Sequence, residues 1–198
     1  MPLMPPFTRA LLQVNIVAFL LQAVLGRAMF GWFALWPGDW LAGGSPSLAT
    51  LWQLLSYSFL HGSLMHLGFN MFALWMFGSA VEQALGPRGM AAVYFTSVVT
   101  GAIAQVVVGA ALLHSSAPVV GASAGVFGLL LTYALLFPHR TIVLLIPPIP
   151  LPARVFVALY AGLELLLGIT GSASGVAHFA HLGGLAGAGF VYWYRRGR

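Results

Sequence analysis

Long runs of apolar residues, broken by short clusters of Arg, Pro and Gly, make up most of the chain. The runs are continuous, whereas a strand that crosses a membrane alternates apolar and polar residues over about 10 positions. A membrane-spanning helix needs roughly 20 apolar residues, and the runs approach that length. We predict six helices, near residues 10–34, 65–86, 90–113, 120–138, 153–171 and 176–194.

The composition excludes a water-soluble domain. Of the 198 residues, 60% are hydrophobic and only 6% are charged, whereas a soluble domain carries about 25% charged residues. Intrinsic disorder requires the opposite balance, low hydrophobicity and high charge. We therefore predict an all-α integral membrane protein, a bundle of six transmembrane helices in a lipid bilayer.

The basic residues predict how this bundle is oriented. Of the 8 arginines and lysines, only Arg27 falls on the second side of a six-helix arrangement. Cytoplasmic loops are enriched in basic residues. Residues 1–9 are therefore predicted to be a short cytoplasmic N-terminus, 10–194 the membrane domain, and 195–198 a cytoplasmic tail. Residues 36–61 become an outer loop, and we expect the protein in the plasma (inner) membrane.

The residue types narrow the chemistry. The chain has no Cys, and its three acids are Asp39, Glu82 and Glu164. This scarcity argues against thiol chemistry, carboxylate-pair hydrolysis and a carboxylate-rich metal site. The net charge of +5 comes from scattered arginines rather than from a basic patch, so nucleic acid is not the expected partner. We expect neither a metal nor a cofactor.

Three polar clusters interrupt the apolar runs at the predicted outward ends of their helices. They are residues 61–70, 121–125 and 178–184. At about 1.5 Å per residue, Ser123, His181 and Asn70 each lie roughly 20–27 Å from the nearest cytoplasmic arginine. The hydrocarbon layer is about 30 Å thick, so the three side chains converge at one level below the outer surface.

A serine buried at that level needs a base to become a nucleophile, and histidine is the usual one. No acid is expected at the same level, because Glu82 lies deep on the second helix and Asp39 lies in the outer loop; Glu164 receives no role. The sequence therefore predicts a Ser–His dyad rather than a triad.

Glycines make such a dyad possible, because small residues let membrane helices approach backbone to backbone. Gly121 and Gly125 remove side-chain bulk from the fourth helix, and Gly184 does the same for the sixth. The N-terminus of the fourth helix also offers unpaired N–H groups to an oxyanion beside the serine. His66 and Asn70, four residues apart on one helical face, would add side-chain donors.

Each feature alone has a more ordinary explanation. Gly-x-Ser-x-Gly also marks the nucleophile turn of soluble α/β-hydrolases, which this composition forbids. Single histidines at helix ends are often interfacial residues, and glycines often only pack. A metal site of His66, His178 and His181 would lack carboxylate or thiol ligands. The joint occurrence of these residues at one depth favours the catalytic interpretation.

Together the motifs resemble the rhomboid family of intramembrane serine proteases, over about residues 50 to 190. The resemblance rests on four segments: His66-x-x-x-Asn70, Gly78-x-x-x-Glu82-x-x-x-Gly86, Gly121-Ala-Ser123-Ala-Gly125 and Ala180-His181-x-x-Gly184. It implies a six-helix core with an outward-facing active site. Ser123 would be the nucleophile and His181 the general base, in preference to His178.

The resemblance also implies the supporting residues. His66, Asn70 and the backbone N–H of Ser123 would form the oxyanion hole. Phe127 would lie under the dyad as an aromatic support for the imidazole. Glu82 would be a structural hydrogen-bonding residue near the cytoplasmic end.

The expected reaction is hydrolysis of a peptide bond in a transmembrane segment of a membrane protein, near the outer leaflet. One alternative is a catalytically inactive rhomboid-like protein that binds client transmembrane helices. Another is a small channel or transporter, for which the sequence offers no second buried charge beyond Glu164 to define an ion path.

Overall fold

The computed structural model describes residues 4–41, 48–110, 117–143, 147–171 and 175–197, and helices make up most of them. The α-helices are α1 Pro6–Leu25, α2 Arg27–Phe33, α3 Pro37–Leu41, α4 Leu48–Leu51, α5 Gln53–Ser56, α6 Leu64–Ala73, α7 Ser79–Ala104, α8 Ser123–Leu136, α9 Ala153–Thr170 and α10 His178–Arg196. A short 3-10 helix covers Tyr57–Phe59, and π-helical turns cover Leu74–Gly78 and Gln105–Ala110.

Three helices, α7, α8 and α10, form the centre of the molecule. Helices α8 and α10 run parallel and α7 runs antiparallel to both, with Gly101 of α7 against Ala180 of α10 and Ala124 of α8. A Cβ atom added at Gly101 would lie 2.6 Å from the carbonyl oxygen of Ala180. Glycine therefore lets the helices touch backbone to backbone, as membrane helices do at small-residue seams.

The predicted boundary between the second and third helices lies at a sharp break in the backbone. Gly86 adopts φ 72° and ψ 170° inside α7, a conformation that glycine tolerates because it has no Cβ. Pro87 follows, and its missing N–H suits the first position of a new helical segment. The break at Gly86 separates two apolar segments of one continuous helical stretch.

Two predicted helices start or end differently in the structure. The first divides in two, because Gly26 has φ 57° and ψ −131° and ends α1 before α2 begins. The fourth begins at Ser123 rather than near residue 120, because Gly121 has φ 125°. The end of the third predicted helix, residues 111–113, lies outside the described residues.

Helices dominate the described residues, as predicted, and one short pair of strands adds to them. Thr141–Val143 (β1) pairs antiparallel with Pro150–Pro152 (β2), with Ile142 opposite Leu151. Both strands lie within the connection between α8 and α9. Pro-rich β2 adopts extended backbone because proline fixes φ and cannot continue a helix.

Among the described residues, three helical stretches are long and apolar enough to cross a membrane: Pro6–Leu25, Leu64–Gly109 and Ala153–Thr170. Large apolar side chains are exposed along α1 and α9, including Leu20, Val24, Leu166 and Ile169. Lipid tails are the environment in which such surfaces are stable. The chain is a helical membrane protein.

A buried carboxylate fastens α1 to this bundle. Glu82 on α7 accepts hydrogen bonds from the backbone N–H groups of Phe7 and Thr8, at 2.9 and 2.7 Å, and from the Thr8 hydroxyl at 2.7 Å. The first N–H groups of a helix have no partner within the helix, and they attract negative charge. Glu82 thus caps the N-terminus of α1 from a distant part of the chain.

We expect Glu82→Ala to lower the free energy of unfolding by on the order of 3 kcal/mol, because two N–H groups at the helix start, one of them buried, lose their acceptor. Thermal unfolding in detergent measures this loss. Asp39→Ala is the matched control: Asp39 is an exposed acid in α3, so its change stays within about 0.5 kcal/mol. Equal unfolding midpoints for Glu82→Ala and wild type would contradict the capping role.

Candidate active site

Ser123 and His181 meet where two parallel helices begin. Ser123 is the first residue of α8, and His181 lies in the first turn of α10. The imidazole Nε2 is 2.8 Å from the serine Oγ, a normal hydrogen-bond distance. Residues 58 positions apart in the sequence therefore form the hydroxyl–imidazole contact that nucleophilic catalysis by serine requires.

The other candidate base, His178, contacts a different partner. Its Nδ1 lies 2.7 Å from Oε2 of Glu164 on α9. The structure therefore brings His181, and not His178, to the serine hydroxyl.

The backbone at the start of α8 presents unused donors beside Ser123. Ala122 is the N-cap residue and no side chain caps the helix. The first N–H that bonds within this turn is that of Val126, to the carbonyl of Ala122. The N–H groups of residues 123–125 therefore precede the helical hydrogen-bond ladder, at the positive end of the helix dipole.

Residues that precede α6 in the chain hold this helix start in place. The Gly121 N–H donates to the carbonyl of Tyr57 at 2.9 Å, and the Tyr57 hydroxyl donates to the carbonyl of Val98 on α7 at 2.8 Å. Leu35 and Val119 also pair through two backbone hydrogen bonds. The donors of α8 thus sit on a backbone fixed from two sides.

His66 lies beside the serine, with Gly121 between them. A Cβ added at Gly121 would lie 2.8 Å from Nε2 of His66 and 3.6 Å from Oγ of Ser123. Asn70, one turn further along α6, donates through Nδ2 to the carbonyl of His66 at 2.9 Å. An amide carries two N–H donors, so this bond leaves one. The described residues include no hydrogen bond between Asn70 and Ser123, and the oxyanion roles of both donors stay predictions.

An aromatic ring supports the imidazole. Phe127, one turn after Ser123 on α8, stacks on His181 with ring centroids 4.3 Å apart and an angle of 9° between the planes. Its ring also stacks on Tyr160 of α9, at 5.1 Å. This packing restricts the imidazole to the plane in which Nε2 faces the serine.

Two glycines bring the helices close enough for the contact. A Cβ at Gly184 of α10 would overlap the carbonyl oxygen of Ala124, the residue after the serine. A Cβ at Gly125 would overlap the ring of Tyr94 on α7. Larger residues at either position would move α8 relative to its neighbours.

The expectation that no acid reaches the dyad is wrong. Oε2 of Glu164 lies 3.0 Å from Nδ1 of His181 as well as 2.7 Å from Nδ1 of His178. Counting residues along one helix gives the depth of a side chain but not its contacts with other helices. It missed this contact because Glu164 lies on α9 and its side chain reaches His181 on α10. Within the described ranges, no group of three or more His, Asp or Glu side chains is arranged to hold a metal ion.

A second histidine pair lies next to the site. His61 is fully buried and its ring meets His66 edge to face, with centroids 5.1 Å apart. Gln22 of α1 binds the backbone of His61 on both sides, accepting from its N–H and donating to its carbonyl. Burial, with a smaller contribution from nearby His66, lowers the pKa of His61 from 6.5 to about 4.

Comparison with known proteins agrees with this geometry. The family described as Rhomboid domain matches residues 48–198. The mitochondrial Rhomboid protein 1 of Saccharomyces cerevisiae is 32% identical over 150 residues, covering 72% of this chain and 41% of the yeast protein. Rhomboid protease GlpG of Serratia proteamaculans is 29% identical over 200 residues, covering 98% of this chain and 64% of GlpG.

A third relative, Rhomboid protease GluP of Bacillus subtilis, is 32% identical over 142 residues, covering 71% of this chain and 25% of GluP. The chain thus spans less than two thirds of the length of each of these relatives. Fold and site define a helical membrane protein with a serine–histidine pair at the start of two parallel helices. The chain belongs to the rhomboid family.

We expect Gly184→Ala to destabilise the fold by about 1–3 kcal/mol, the usual cost of overpacking, because the backbone of Ala124 cannot yield to a Cβ. Gly189→Ala on the same helix is the matched control, since its Cβ meets only the flexible end of Leu131 at 3.9 Å. Thermal unfolding of both variants in detergent is the measurement. Equal midpoints for the two would show that the α8–α10 contact tolerates a side chain.

Acid should destabilise the protein through His61. Its folded pKa of about 4 lies below the unfolded value of 6.5, so the unfolded chain binds more protons between these pH values. Stability is complete above about pH 6.5 and falls as the pH drops towards 4. The unfolding midpoint at pH 7 and at pH 4.5 should differ less in His61→Asn than in wild type. An unchanged difference would assign the acid sensitivity to other groups.

Proposed function

We propose that this protein is an intramembrane serine endopeptidase that cleaves transmembrane segments of membrane proteins near the outer leaflet. The observation that carries the proposal is the 2.8 Å contact between Oγ of Ser123 and Nε2 of His181. It lies at the uncapped start of α8, where a nucleophile, a base and amide donors occur together. The names of the bacterial relatives, which call them rhomboid proteases, support the same activity.

The chemistry follows from the positions of these groups. His181 takes the proton of Ser123 at Nε2 as Oγ bonds to the scissile carbonyl carbon, and the carbonyl electron pair moves onto oxygen. The N–H groups at the start of α8, with His66 and Asn70, stabilise that oxyanion. His181 then returns the proton to the leaving amine as the C–N bond breaks. Water repeats the sequence to release the acyl group.

We place this site towards the outer side of the plasma (inner) membrane, in a six-helix bundle with both termini in the cytoplasm. Two contacts support grouping the arginines at one end. Arg195 lies against Gly89, next to Arg88, and the carbonyl of Arg140 accepts from the N–H of Ala153 beside Arg154. Ser123 and His181 begin their helices at the opposite end, where water from outside the cell reaches them.

The substrate must present an extended segment. A helical peptide bond is shielded by its own hydrogen-bond ladder and side chains, so the substrate helix has to unwind locally near the cut. Helix-breaking residues should favour this step. The close glycines around Ser123 leave room for small residues on either side of the scissile bond. The partners of the protein are therefore transmembrane substrates in the bilayer.

The test is cleavage of a model single-span substrate in detergent, together with labelling by a fluorophosphonate probe that reacts with activated serines. We expect wild type to cleave and to be labelled, and Ser123→Ala and His181→Ala to lose at least about a thousandfold in rate. Ser56→Ala and His139→Ala are matched controls, because the Ser56 hydroxyl donates to the carbonyl of Phe33 in α2 and His139 is exposed.

Two results would contradict the proposed activity. Cleavage by Ser123→Ala at the wild-type rate would exclude the proposed nucleophile. Folded wild type that neither cleaves nor reacts with the probe would favour the alternative of an inactive protein that binds client helices.

A further inference from the structure

Glu164 is a buried acid with no part in the reaction described so far. It lies on α9, a helix whose other face exposes large apolar side chains, and only 4% of its surface is accessible. A carboxylate in such surroundings is costly unless it is paired. The other two acids are elsewhere: Glu82 caps α1, and Asp39 lies exposed in α3.

The partners of Glu164 are two imidazoles on α10. One oxygen, Oε2, lies 2.7 Å from Nδ1 of His178 and 3.0 Å from Nδ1 of His181. The bond to His178 has hydrogen-bond geometry. The N–H direction at Nδ1 of His181 is not aligned with Oε2, and this nitrogen has no hydrogen-bond partner among the described residues.

Glu164 contacts the ring nitrogen of His181 that does not face Ser123. His181 faces Ser123 through Nε2 and faces Glu164 through Nδ1. Serine, imidazole and carboxylate therefore follow one another in the order of a catalytic triad. Hydrogen bonds of this kind are often poorly aligned before substrate binds and tighten during the reaction.

We propose that Glu164 is a positioning residue for His181, which extends the Ser–His dyad of the proposed function to a Ser123–His181–Glu164 triad. His178 holds the carboxylate in place through its shorter contact. Since Glu164 touches the base and not the substrate, it acts through the imidazole alone.

Two physical effects follow from a carboxylate at Nδ1. It favours the tautomer with the proton on Nδ1, which leaves Nε2 free to accept the serine proton. It also stabilises the imidazolium that this transfer creates, in surroundings with little water to do so. Phe127 fixes the plane of the ring, but stacking cannot select a tautomer or offset a positive charge as a carboxylate does.

A purely structural role is the alternative, because Glu164 also ties α9 to α10. The two roles differ in the pH dependence of cleavage. The titratable groups near His181 are His178 on its own helix, Glu164 and Tyr160 on α9, and His66 on α6. Of these, Glu164 alone is an acid that ionises below neutral pH, so its removal changes the charge that His181 experiences.

The experiment measures kcat, KM and the pH profile of kcat/KM for wild type, Glu164→Gln and Glu164→Asp, with the model transmembrane substrate in detergent. We expect Glu164→Gln to lower kcat by about tenfold to a hundredfold, less than the roughly 10⁴-fold of an aligned triad. Its KM should stay within about twofold, and its acid limb should move to lower pH, because a negative charge beside the imidazole is removed. Glu164→Asp should restore part of kcat and the acid limb.

Glu82→Gln is the matched control, since it removes a second buried carboxylate far from the dyad. It should lower the unfolding midpoint and leave the acid limb unchanged. If Glu164→Gln does not fold, Glu164→Asp is the test variant. It keeps the negative charge but shortens the side chain by one methylene, so its carboxylate lies further from His181. Its kcat should fall, and its acid limb should move less than expected for Glu164→Gln.

Three results would overturn the proposal. One is a Glu164→Gln enzyme with the kcat and acid limb of wild type. Another is a loss of kcat in Glu164→Gln with an unmoved acid limb, which would assign Glu164 to structure alone; if only Glu164→Asp folds, the corresponding result is a kcat equal to that of wild type. The third is wild type with no activity above Ser123→Ala, which would overturn the proposed function itself and with it this inference.

Discussion

The close approach of α8 and α10 is the constraint on which the site depends. Packed helices usually lie about 8–10 Å apart, and a serine side chain is short. Its hydroxyl reaches an imidazole on a neighbouring helix only where the backbones nearly touch. Gly184 provides that approach, against the carbonyl of Ala124, and Gly101 of α7 keeps Ala180 equally close from the other side. The distance between Ser123 and His181 is thus set by packing rather than by the two side chains alone.

The same packing fixes the dipolar groups that an oxyanion needs. Little water surrounds a site within a bilayer, so the donors for a new charge must be oriented in advance. The start of α8 is held by Tyr57 through Gly121 and Val98. Further out, Trp52 donates to the carbonyl of Trp32 and stacks on Phe33. Nearby, Gln53 accepts a hydrogen bond from the Trp36 N–H, so the contacts named here among the described residues involve no charged side chain.

Much of the site follows from local sequence signals, because glycine spacing and polar residues in apolar runs are direct consequences of helix packing in lipid. The break at Gly86, flanked by Pro87, was visible in the same way. The contact of Glu164 with His181 was not, because depth counted along one helix says nothing about reach between helices. One signal was present: a short connection joins α9 to α10, and helices so joined lie antiparallel and adjacent. An acid seven residues before Gly171 then faces the start of α10.

Glu164 connects α9 to the surroundings of the Ser123–His181 pair. The inward face of α9 contacts the imidazole surroundings at three points: Tyr160 on Phe127, Glu164 on both histidines, and Gly168 against His178 and Phe179. Its other face is exposed and apolar. A displacement of α9 would withdraw Tyr160 from Phe127 and the carboxylate of Glu164 from His181 together. The orientation of the His181 imidazole therefore depends on the position of α9.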